Sequence, residues 1–118
     1  MGHELFDKRF VDNYRIKEED AMQIAIEHGW IVKDTPEDKG LKIALMHSEL
    51  SEALEAVRVG DPKSEKIPDF TLLEEELADV VLRIMNFGGQ LGLRIAEAIV
   101  AKDEYNSKRP YKHGGKAF

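Results

Sequence analysis

The chain has 118 residues, 42% of them hydrophobic and 34% charged, with a formal net charge of −6 and no cysteine. That length suits one domain with a single core, and the missing cysteines exclude a disulfide framework and a thiolate metal site. The acidic balance argues against nucleic-acid binding, which needs a basic surface, and no run approaches the roughly 18 apolar residues of a membrane span.

The opening MGHELFDKRF carries neither the basic region nor the apolar run of a secretion signal, so a cytoplasmic protein is expected. Phe6, Phe10 and Tyr14, spaced by four, predict a short N-terminal helix or arm over residues 1–16. A second helix is expected from about Lys17 to His28, with Gly29 as its stop. In TPED, Thr35 can cap the next helix, Pro36 suits its first position, and Glu37 and Asp38 favour the positive end of the dipole. That helix continues to about Val59, where Gly60 and Pro62 end it. SEKIPDF reads as a loop.

TLLE, Thr71 to Glu74, is a capping box that opens a third long helix, running to Gly88, Gly89 and Gly92. The segment ELADVVLRIMNF is apolar round most of its circumference and predicts a central, buried helix. A fourth helix, LRIAEAIVAKDEYNSK, should stop before Pro110, because the residue preceding proline disfavours the helical region. No alternating β-branched run long enough for a strand occurs. The expectation is a single all-α domain over residues 1–118, a bundle of four to five helices followed by a basic tail at 108–118.

Two helices carry carboxylates where apolar residues are expected. At about 100° per residue, the greasy side of the helix containing HSELSEALEAVR runs through Ile43, Met46, Leu50, Leu54 and Val57, flanked by Ala53, Ala56 and Leu45. Glu49 falls inside that flank and Glu52 one step round it, whereas Glu55 lies on the polar side. On the following helix the polar strip is Glu76, Asp79, Arg83 and Asn86, one narrow line in which Glu76 borders Val80 and Leu72. Four carboxylates edging a core must be protonated, paired with cations or metal-bound, because desolvating an isolated charge costs several kcal/mol. Arg83 can neutralise one of them, or simply pair with Asp79 at i, i+4. The remaining charge calls for divalent cations, and all-oxygen ligation points to Mg²⁺ or Mn²⁺.

On the fourth helix, Ile95 and Ile99 define an inward line that continues into Lys102, Asp103 and Asn106. A lysine and an asparagine there suit phosphate oxygens, unless the line merely surfaces at the helix end. Residues 102–118 hold five Lys/Arg against two Asp/Glu, which suits closure over a polyphosphate as well as a loose terminus.

These residues resemble the MazG-like all-α nucleoside triphosphate pyrophosphohydrolases, whose signature is ExxE on one helix and ExxD on the next. Here it is SELSE with Glu49 and Glu52, and EELAD with Glu76 and Asp79. The resemblance extends from about Gly29-Trp30 to KDEYNSKRPYKHGGK, and the N-terminal segment has no counterpart in it. It implies Mg²⁺-dependent cleavage of a nucleotide between its α and β phosphates, yielding a monophosphate and pyrophosphate in a house-cleaning role. Glu49, Glu52, Glu76 and Asp79 are then expected as metal ligands, with Glu52 as catalytic base and Glu55 its rival. Lys102, Asn106, Arg109 and Arg83 are expected on the phosphates, and Trp30 as a stacking surface for the base.

A helix apolar on nearly all sides needs more neighbours than four short helices supply, so a homodimer or homotetramer is expected, as in that family. Two other enzyme types fit less well or need assays to separate. A di-iron carboxylate bundle requires two Glu-x-x-His motifs, which the chain lacks, and a phosphoribosyl-ATP pyrophosphohydrolase would share the fold and motif. A non-catalytic helical adaptor, pairing its acidic strips with a basic partner, would bind divalent ions only weakly.

Overall fold

A computed structural model of the protein describes residues 4–110; residues 1–3 and the end of the basic tail, 111–118, lie outside the described residues. Four α-helices account for most of it: α1 (Glu4–Glu27), α2 (Pro36–Arg58), α3 (Leu72–Leu91) and α4 (Ile95–Ser107). Among the described residues there is no strand, only an isolated bridge between Lys63 and Thr71. None of these helices is long and apolar enough to cross a membrane. The chain divides into two compact units, one of residues 17–93 and the other of residues up to 16 together with those from 94 onward.

The expected break between an N-terminal arm and a second helix does not exist: α1 is continuous over 24 residues. Tyr14-Arg15-Ile16-Lys17 contains neither glycine nor proline, so nothing interrupts the backbone ladder there. Ion pairs one turn apart, Lys8–Asp12 at 2.8 Å and Lys17–Asp20 at 3.0 Å, line its exposed side. Gly29, at φ +80°, takes the left-handed conformation beyond its end.

The other boundaries follow from the residues that announce them. Thr35 accepts from the Asp38 N–H at 3.2 Å with Pro36 in the first turn. At α3 both halves of the capping box form: the Glu74 N–H donates to Thr71 Oγ1 at 3.2 Å, and the Thr71 N–H donates to Glu74 Oε1 at 2.9 Å. Thr71→Ala is therefore expected to lower stability by about 1 kcal/mol, read as a shift in the urea midpoint. The glycines at 88 and 89 do not end α3, which continues to the left-handed Gly92. Close approach explains Gly89: a Cβ there would lie 3.2 Å from Met22 Sδ of α1.

Packing within residues 17–93 is dominated by α2 against α3, and α2 uses a different face from the one its large side chains suggest. Its buried residues are Ala53 and Ala56, with Glu49 only 14% exposed beside them. Ile43, Leu50, Leu54 and Val57 remain 45–55% exposed. Small residues let the two backbones come close, and the bulky line, about a quarter-turn round the helix, points elsewhere. Nor is α3 buried all round within the chain: Val80 is buried, but Leu77, Val81 and Leu82 are 39–50% exposed. The buried apolar residues among those described are five alanines and two valines.

Candidate metal centre

The α2–α3 seam explains the misplaced carboxylates, because the face that packs is the face that carries them. Ligand oxygens of Glu49, Glu76 and Asp79 all lie within 4.8 Å of one another. Glu76 is the most enclosed of the three at 9% exposure, and its Oε2 is buried without a hydrogen-bond partner. Burial, and then the neighbouring carboxylates of Glu52 and Glu49, push the Glu76 carboxyl up from 4.5 to about 7. Two ionised carboxylates share no hydrogen bond, so these contacts become favourable only when a proton or a cation enters. Burial and the charges of Glu49 and Glu75 also raise Asp79, while Lys66 and Arg83 pull it back.

Glu52 approaches Glu76 but is itself exposed. Its rival Glu55 is exposed too, with a loose 3.9 Å contact to Arg58. Arg83 does not take Asp79 as its partner: its Nε–H donates to Glu49 Oε1 at 3.0 Å, and its Nη2 forms an ion pair with the same oxygen at 2.8 Å. The inter-helical pair wins because Asp79 and Arg83 stand one above the other on α3, whereas Glu49 faces them both from α2.

Three residues that the sequence did not single out border the cluster. Glu75, 8% exposed, accepts a 2.5 Å hydrogen bond from the hydroxyl of Ser64, which is 1% exposed. Lys66 reaches to 3.9 Å from Glu75. The segment SEKIPDF is thus a structured loop, ordered round a buried serine. Spacing alone offered one signal, Glu75 lying four residues before Asp79 on the same helix face; nothing in the sequence marks Ser64.

Further along the polar strip, Gln90 ties the segment after α1 to α3. Its Oε1 accepts from the Val32 N–H at 2.8 Å, and its Nε2 donates to the Trp30 carbonyl at 2.9 Å and to Asn86 Oδ1 at 2.7 Å. The Trp30 backbone is fixed in this way while its ring is 60% exposed and stacked on His28 at 5.1 Å.

The remaining candidates belong to the other unit. Lys102 and Asn106 line a shallow hollow of about 400 Å³ on α4 with Ile95, Ala98, Ile99 and Asp103. The Lys102 ammonium sits 4.6 Å from the centre of the Tyr105 ring. Arg109 is exposed just past the helix. In the same unit Arg15 of α1 pairs with Glu97. Comparison of the chain with known protein families, with curated proteins and with solved structures found no match.

The residues fit a hard divalent cation. Oxygens bound to one Mg²⁺ lie at most about 4.2 Å apart, twice its bond length of roughly 2.1 Å. The three oxygens lie within 4.8 Å of one another, a separation that small side-chain rotations can bring onto one ion. The donors are all carboxylate oxygens, the set that magnesium and manganese prefer over zinc or copper.

Proposed function

We propose that the protein is a Mg²⁺-dependent nucleoside triphosphate pyrophosphohydrolase of the MazG-like all-α type, cleaving a nucleotide into its monophosphate and pyrophosphate. The observation that carries the reading is the Glu76 carboxylate, enclosed among Glu49, Glu52 and Asp79 with one oxygen lacking any partner. A buried orphan acceptor amid like charges is costly unless a cation completes it. A carboxylate group that served only to dock a basic protein would face solvent, whereas here the most enclosed member of the cluster is also its centre.

Glu49, Glu76 and Asp79 would hold the ion, and Glu52, at the exposed edge, would take the proton of the attacking water. Bound Mg²⁺ supplies charge neutralisation for the phosphates and acidifies that water. Glu52 is a better base than Glu55 because it is the one that approaches Glu76. Arg83, which contacts Glu49 at the same cluster, would be within reach of phosphate oxygens bound there. Lys102, Asn106 and Arg109 are assigned to the phosphates by resemblance alone, and the exposed Trp30 ring to base stacking. The exposed leucine, isoleucine and valine line on α2 supports a homodimer or homotetramer, in cytoplasmic surroundings.

Pyrophosphate release from a panel of ordinary and modified nucleoside and deoxynucleoside triphosphates tests the proposal. Release from at least one of them, abolished by chelation and restored by Mg²⁺ or Mn²⁺, is expected. No release from any nucleotide, or release indifferent to EDTA, would overturn it.

A further inference from the structure

We propose that Lys66 is a polyphosphate-binding residue of the carboxylate site, held at its edge by an anchor built from Ser64 and Glu75. The inference takes its ligand class from the pyrophosphohydrolase reading, but its geometry stands independently. The connection between α2 and α3 is pinned at both ends. The Asp61 N–H donates to the Ala56 carbonyl at 2.7 Å, the Leu73 N–H donates to Asp61 Oδ1 at 2.9 Å, and the Leu72 N–H donates to the Pro62 carbonyl at 2.7 Å. Inside it the Ser64 N–H donates to the Phe70 carbonyl at 2.9 Å, closing the loop on itself.

Ser64 is the hinge pin of this arrangement. Its hydroxyl accepts from the Ile67 N–H at 3.0 Å while donating to Glu75 Oε1, so the turn carrying Lys66 is bonded directly to a buried carboxylate of α3. The other oxygen of Glu75 faces the Lys66 ammonium across 3.9 Å, with 83% of the lysine side chain exposed. At that distance and exposure the pair contributes little to stability. Its consequence is location: Glu75 directly precedes Glu76 on α3 and lies one turn before Asp79, so the ammonium stands at the edge of the carboxylate site.

The chemistry of the neighbourhood makes a cation there useful. Among the described residues, Arg83 is paired with Glu49 through two contacts and Lys66 faces Glu75. A bound divalent ion can answer the carboxylates, but a triphosphate brings further negative charge to the same place. A lysine at the end of a flexible stem is a point charge that can follow those oxygens as they move. Glu75 on this view is no metal ligand; both its oxygens are occupied in holding the loop and its lysine.

Calorimetric titration of the full chain with inorganic triphosphate in the presence of Mg²⁺ tests this, on wild type, Lys66→Gln, Lys66→Arg and Ser64→Ala. Lys66→Gln is expected to weaken triphosphate binding about tenfold or more, as for a lost charge-assisted contact, with the melting temperature and the affinity for Mg²⁺ alone unchanged. Lys66→Arg should retain most of the affinity, and Ser64→Ala should lose part of it through loosening of the turn. Equal affinity of Lys66→Gln and wild type, or no triphosphate binding by wild type, overturns the inference. Triphosphate binding that depends on Lys66 in a protein releasing no pyrophosphate from any nucleotide would instead sink the catalytic reading and leave this one standing.

Discussion

Glu76→Gln is expected to abolish pyrophosphate release while raising the melting temperature of the metal-free protein. The two effects have one origin. In the fold burial and the neighbouring Glu52 and Glu49 push the Glu76 carboxyl up from 4.5 to about 7, because its surroundings disfavour its charge. A glutamine of the same shape removes that charge and offers the Glu49 and Glu52 carboxylates an N–H donor. It also removes a proposed metal ligand. Losing a group that merely orients a ligand typically costs about 10- to 100-fold in metal affinity or activity, so loss of the ligand itself should cost at least as much. A variant that still turns over at the wild-type rate would remove Glu76 from the site.

The same displaced titration sets a pH signature. Because the folded state holds its proton more tightly than the unfolded chain, the stabilising contribution is complete below pH 4.5 and is lost as pH rises through about 7. The raised Asp79 carboxyl acts in the same direction. Metal-free wild type should therefore become less stable across that window, and Mg²⁺ should restore the loss most at its upper end, where no proton competes. Thermal denaturation at a series of pH values, with EDTA and with Mg²⁺, reads both trends. Glu76→Gln should flatten the first and shrink the second. A metal-free protein that gained stability over the same range would contradict the buried-acid account.

Much of this cluster was legible because helical periodicity is a strong constraint: a glutamate among Met46, Ala53 and Ala56 has few places to go. The all-α class and the starts at Thr35 and Thr71 were equally readable, since a cap is a local bargain between one side chain and the next backbone turn. What failed was tertiary. Periodicity shows that α2 has an apolar side but not which part of it meets α3, and the helices met over alanines, with the leucines left outside. That Arg83 meets one of the four carboxylates was readable, but not that the one is Glu49, 34 residues away on the other helix. Ser64 left no trace at all: a serine in an unpatterned loop reads as solvent-facing until coordinates bury it. The continuity of α1 is a different matter: the aromatic spacing ends at Tyr14, but no glycine or proline between there and Lys17 breaks the helix.

Leu50→Glu combined with Leu54→Glu is expected to convert the protein to monomers and lower its stability sharply. In an isolated chain these side chains are 47% and 55% exposed, and substitutions at such positions usually change stability by within about 0.5 kcal/mol. A large loss would therefore report contacts that only a second copy provides. What lies on the outside of α2 favours such contacts. Ile43, Leu50, Leu54 and Val57 form one continuous stripe on α2, a pattern that soluble monomers seldom leave uncovered. Burying the remaining half of each residue is worth on the order of 1 kcal/mol, and a two-fold partner presenting the same stripe would gain it twice. Sedimentation velocity at several concentrations should show wild type as a dimer or tetramer and the double variant as a monomer. If the metal site draws on both copies, the variant should also lose turnover. Wild type sedimenting as a monomer at every concentration would mean that this stripe meets something other than its own kind.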